Sequence, residues 1–134
     1  MAIVIDENLK PYIRRRGEPV TTPLHELKAD FFKTLGHPVR VRVLELLSQR
    51  EHAVAEMLPL TSVEASALSQ HLGLLKKAGL VTSRREGSTV YYQLTSPKVR
   101  DLLAVARDVL ETVLTGQVEL LADLRADVAG AGEG

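Results

Sequence analysis

Leu68-Ser69-Gln70-His71-Leu72, then Leu75-Lys76-Lys77-Ala78-Gly79-Leu80-Val81, then Arg84-Arg85-Glu86-Gly87: these words, within residues 60–94, decide how the chain is read. Leu68, Leu72 and Leu75 recur at i, i+4 and i+7, which puts them on one buried face of a helix predicted over about 63–78. Leu60-Thr61-Ser62 is the turn before it, and Gly79 is the left-handed stop after it. A Val/Thr/Ser/Arg strand follows. Glu86-Gly87-Ser88-Thr89 turns the chain, and Val90, Tyr92 and Leu94 alternate on the return strand. A helix-turn-helix with a basic two-stranded hairpin behind it suits duplex DNA: the helix enters the major groove and the hairpin lies against the neighbouring backbone.

The outward face of that helix follows by subtraction. With the leucines inward, Ser66, Ala67, Ser69 and Gln70 face out or flank and are the expected base contacts, with Gly73 beside them. Small residues admit the helix backbone to the groove. Gln70 can bond an adenine edge in two places, serine pairs with several bases, and Ala67 suits a thymine methyl. His71 borders this face, within reach of phosphate or of the end of the third helix. Arg84, Arg85 and Thr89 flank the hairpin turn and are expected on backbone. Lys76 and Lys77 are further backbone candidates, although both equally complement the helix dipole. Arg40 and Arg42 open the second helix, one expected near backbone and the other paired with an acid.

Upstream, a first helix is predicted to start at Thr22-Pro23, with Thr22 as cap and Pro23 in the first position. Leu24, Leu27, Phe31, Phe32 and Leu35 carry its apolar face, and Gly36 ends it. Pro38 opens a second helix over 39–49 with Val39, Val43, Leu44, Leu46 and Leu47 buried. A third, over 52–58, is expected to stop at Pro59. A last helix starts at Ser96-Pro97 and runs to about 128. Leu102, Ala106, Val109, Val113, Leu120 and Leu124 form one apolar line on it, and Leu103, Leu110, Leu114, Leu121 and Val128 another. That stripe is too wide for one small domain to cover. Homodimerisation through the first and last helices is the expected solution, with Leu24, Leu27, Phe31, Leu102, Ala106, Val109, Leu110, Val113, Leu114 and Leu121 in the interface. The organisation is then a flexible arm over 1–22 carrying Arg14-Arg15-Arg16, a domain over 23–128, and a disordered tail over 129–134.

A chain of 134 residues suits one domain with a modest core. It has no cysteine, which removes disulfides, thiolate metal sites and thiol redox sensing. No apolar run approaches the roughly 20 residues of a membrane span, and the N-terminus lacks the basic and long apolar regions of a signal peptide, so a cytoplasmic protein is expected. Net charge is zero but unevenly placed. Between residues 36 and 94, seven basic residues face five acids, whereas from residue 96 onward four face seven. A locally basic surface on a neutral protein suits a specific binder.

At these residues the chain resembles the ArsR/SmtB family of winged-helix repressors over about 24–114. The carriers are Phe32-Lys33-Thr34-Leu35-Gly36-His37-Pro38-Val39-Arg40, Leu44-Glu45-Leu46-Leu47, the Leu68–Leu72 and Ala78–Val81 words, Arg85-Glu86-Gly87 and Tyr91-Tyr92. The resemblance implies a mainly α fold with a small β-hairpin, ordered α-α-α-α-β-β-α, in a symmetric homodimer. It also implies binding to a palindromic operator and, as is usual in the family, release on binding an inducer; for this chain the inducer is either an unknown small molecule or absent. The metal sites of the family do not carry over. Ala53 and Ala55 stand where metal-sensing members place cysteines, and the last helix has carboxylates but no histidine. His25 and Asp30 are better read as surface residues, so no metal and no cofactor are expected.

An enzyme is disfavoured: there is no phosphate loop or nucleophile elbow, and Ser69 and His71 point to different sides of a helix. The remaining alternative is a winged-helix protein-interaction module that does not bind DNA.

Overall fold

A computed structural model describes residues 22–132, with side chains described to residue 127. The expected arm lies outside the described residues except for Thr22. The described residues form two compact units, divided between Val99 and Arg100. In order, the elements are α1 (Leu24–Leu35), α2 (Pro38–Gln49), β1 (His52–Ala53), α3 (Val54–Thr61), α4 (Ala65–Lys77), β2 (Val81–Glu86), β3 (Thr89–Leu94) and α5 (Pro97–Gly132).

The first unit is built around α2 and α4. Val43, Leu44, Leu46 and Leu47 of α2 meet Leu68, Leu72 and Leu75 of α4, Met57 of α3 and Val81 of β2 in a core closed to solvent. Val39, expected in that face, is only half-buried because it sits in the first turn. α1 starts differently from the expectation: Pro23 itself occupies the N-cap, with no side-chain cap, and its carbonyl accepts from the Glu26 and Leu27 amides. Gly36 does end it. At α2, His37 is the cap and Pro38 the first helical residue; the ring Nδ1 accepts from the Val39 N–H at 3.1 Å.

The third element corrects the sequence reading. His52 and Ala53 are a strand, not the start of a helix, and pair antiparallel with Tyr92 and Tyr91. The sheet therefore has three strands, ordered β1-β3-β2, in place of a lone hairpin. α3 begins only at Val54, where Glu56 accepts from the Ala53 N–H at 3.0 Å. Pro59 does not stop it. The helix continues to Thr61, whose Oγ1 donates to the Met57 carbonyl at 2.8 Å. The stop is Ser62, at φ 56°, and α4 begins at Ala65, two residues later than expected.

The end of α4 follows the expectation and shows why. Gly79 has φ +79°. Its N–H donates to the Lys76 carbonyl and the Leu80 N–H to the Leu75 carbonyl, both at 3.0 Å, the paired bonds of a Schellman motif. Buried Leu75 and Leu80 complete it. The hairpin closes over Gly87-Ser88, with Glu86 opposite Thr89 and Gly87 at φ +63°, as a two-residue turn with glycine first requires.

α5 begins as expected, with the Lys98 N–H bonded to Ser96 Oγ at 3.2 Å. It runs to Gly132, so residues 129–132 of the expected tail are helical. Val105, Val109, Leu110, Val113, Leu114, Val118, Leu120, Leu121 and Leu124 are exposed along it. Among the described residues no helix is long and apolar enough to cross a membrane.

Candidate nucleic-acid interface

Because Leu68, Leu72 and Leu75 are buried, the opposite line of α4 is set by helix geometry: Ser66, Gln70, Gly73 and Lys77, all exposed. Ser66 and Gln70 stand where the sequence placed them. Ser69, also exposed, lies on the flank nearer Lys76. Ala67 and His71 are half-buried on the other flank. Of the two lysines, Lys77 stands on the outward line, whereas Lys76 spends its ammonium on Ser83 Oγ at 2.8 Å. Leu74, not among the expected site residues, is 47% exposed on the same side of the helix. Both follow from the 3.6-residue turn once the buried face is known.

A Cβ added at Gly73 would meet nothing within 4 Å. Internal packing therefore does not require a glycine in the middle of this helix, where it costs about 0.5–1 kcal/mol relative to alanine. It leaves the α4 backbone open to close approach from outside.

On the hairpin, strand alternation separates the two arginines. Arg84 is held by the protein: its Nε donates to Glu51 Oε2 at 3.1 Å, its Nη1 to Glu86 Oε2 at 2.8 Å, and its guanidinium lies 4.4 Å over the Tyr91 ring. Hydrogen bonding to Glu51 and then Glu86 raises its pKa further, and the Glu51 carboxyl is lowered in turn. Arg85, opposite Val90, is exposed and has no ion pair among the described residues. Thr89 is half-buried at the turn. Of Arg40 and Arg42, the one paired with an acid is Arg42, with Glu45 at 3.6 Å; among the described residues Arg40 has no acid partner.

Arg40 belongs to a cluster on the seam between α2 and α4. The His37 and His71 rings lie 4.3 Å apart. Nε of Arg40 and Nδ1 of His71 are buried without a hydrogen-bond partner; such atoms each cost about 1–3 kcal/mol. Burial first, then the positive charges of His37 and Arg40, hold His71 below the usual histidine range. His71 does not cap α3, the second role considered for it. Among the described residues, no three His, Asp or Glu side chains gather as metal ligands.

A core-anchored helix with a free polar line, followed by a hairpin with a free arginine, is the reading head of a winged helix-turn-helix transcriptional regulator. Residues 37–83 match the model of the bacterial regulatory proteins of the arsR family. The uncharacterized HTH-type transcriptional regulator Rv0081 of Mycobacterium tuberculosis is 51% identical over 105 residues, 78% of this chain and 92% of its own length. Its crystal structure superposes with a TM-score of 0.69 at 49% identity, over 73% of this chain and 99% of that one. The homodimeric winged helix-turn-helix domain Mb0332 of Mycobacterium bovis, a possible ArsR-family regulator solved in solution, gives 0.62 at 34% identity over 68% and 84%. A biofilm growth-associated repressor of Xylella fastidiosa is 33% identical over 97 residues, 72% of this chain and 82% of its own. The chain belongs to the ArsR family and is a DNA-binding transcriptional regulator.

Proposed function

We propose that this regulator is a cytoplasmic repressor that binds a palindromic duplex site as a homodimer. Each copy lays α4 along a major groove, with Gln70 and Ser66 on base edges, Ser69 and Ala67 at the margins, and Leu74 available to thymine methyls. Arg85, Lys77 and Arg40 take phosphates. The observation that carries this reading is the exposed line Ser66–Gln70–Gly73–Lys77 on a helix whose other face is sealed in the core. Dimerisation is supported by the apolar residues that a single copy leaves exposed on α5, by Leu24 and Phe32 on α1, and by a homodimeric relative. A small-molecule inducer would release the duplex; with no cysteine in the chain, it would not be a thiolate-bound metal.

Selection of bound fragments from the host genome, followed by a salt titration on the winner, tests the proposal. It expects one recurrent palindrome and an affinity that falls steeply with salt. Equal affinity for every duplex would overturn it.

A further inference from the structure

Three groups that carry or accept positive charge, His37 and Arg40 from α2 and His71 from α4, meet beside the outward face of α4 with no carboxylate among them. Three other guanidiniums of this unit are matched with acids, Arg42 with Glu45, Arg50 with Glu56, and Arg84 with Glu51 and Glu86, while Arg85 stands free on the wing. Here the Arg40 Nε and the His71 Nδ1 are unpaired but closed to solvent, and the atoms open to a ligand are the other guanidinium nitrogens of Arg40 and the His71 Nε2, which have no partner among the described residues. The His37 ring is committed to the helix start: its Nδ1 accepts from the Val39 N–H at the cap of α2. His71 makes no such bond, so it is the ring free to gain a proton. The charged and titratable groups that bear on it are His37 and Arg40. On the other elements packed against α4, Glu56 of α3 is held by Arg50, and on β2 Arg84 is held by Glu51 and Glu86. Within α4, Lys76 is turned to Ser83.

We propose that His37, Arg40 and His71 form a seat for one phosphodiester of the DNA backbone, and that filling it protonates His71, so duplex affinity rises as the pH falls. The inference rests on the DNA-binding reading above. A phosphodiester oxygen at the seat offsets the Arg40 charge and gives the His71 ring an acceptor, both of which favour its protonated form; the proton comes from solvent and returns to it on release. Because the bound complex holds one more proton than the free components, affinity increases toward acid by at most about tenfold per pH unit.

The test uses the full chain, a labelled mixed-sequence duplex and dilute buffer, between about pH 8 and about pH 6, the range that brackets the ordinary histidine value. Wild type is expected to bind more tightly as the pH falls, His71→Gln to lose that slope, and the His71 ring, followed by NMR in the wild-type protein, to titrate at higher pH with duplex than without. An undiminished slope in His71→Gln, or a His71 titration that the duplex does not move, would overturn the phosphate seat while leaving DNA binding intact. Wild type that binds no duplex at any pH would overturn the DNA-binding reading itself, and the seat with it.

Discussion

Arg84 and Arg85 are neighbours in the chain and were expected to act alike. Strand alternation puts them on opposite faces of the wing, and the partner that captures Arg84, Glu51, lies 33 residues away in sequence, where no local pattern could reveal it. Arg85→Ala should therefore weaken duplex binding and reduce the salt slope by about one, while Arg84→Ala leaves the slope as it was. Parallel salt titrations of the two variants check this; equal slopes would show that Arg84 leaves its carboxylates on binding. Gln70 was legible because one exposed position follows from three buried leucines. Its replacement by alanine should cost about 1–3 kcal/mol on the selected palindrome and relax base preference. A uniform loss on all duplexes would move Gln70 to the backbone.

Among elements, the ones read correctly are those with enough turns or alternations to show a period, namely α1, α2, α4 and the hairpin. β1 has two residues, too few for any pattern, and its pairing partners are supplied by the distant β3. For α3 the sequence predicts a stop at Pro59, because a proline inside a helix is normally costly; Thr61 helps to satisfy the end of the helix beyond it. The start of α3 makes a pH prediction. Hydrogen bonding to Arg50, then to the Ala53 amide, holds Glu56 at about 2, against an ordinary value of 4.5. Its contribution to stability is thus complete above pH 4.5 and lost as the pH falls toward about 2. Urea unfolding of Glu56→Gln across that window should show a shallower acid dependence than wild type. α4 carries the converse test. Gly73→Ala should stabilise the fold by about 0.5–1 kcal/mol and at the same time weaken duplex binding, because the added methyl occupies the space left for the groove. Stabilisation with unchanged affinity would mean that no groove approaches the helix at this point.

For the molecule as a whole, the winged architecture was recoverable from sequence, except that its sheet gained a strand. What covers the apolar length of α5 is only inferable, since a surplus of exposed leucines and valines argues for a partner but not for how it is arranged. Charged substitution of Leu110 or Leu114 should yield monomers or unfolded chains, read by sizing with light scattering, and a stable dimer would place the partner surface elsewhere. One feature of the winged unit reaches further. Three ties span the junction between α4 and the hairpin: Leu80 N–H to the Leu75 carbonyl, Lys76 to Ser83, and Thr95 Oγ1 to the Gly79 carbonyl at 2.8 Å. Helix and wing are thereby set like the jaws of a calliper at one opening. On the proposed mode of docking, the DNA adjusts to that gauge, and base steps between the jaws are expected to be selected by how readily they bend or narrow, even where no side chain reaches them.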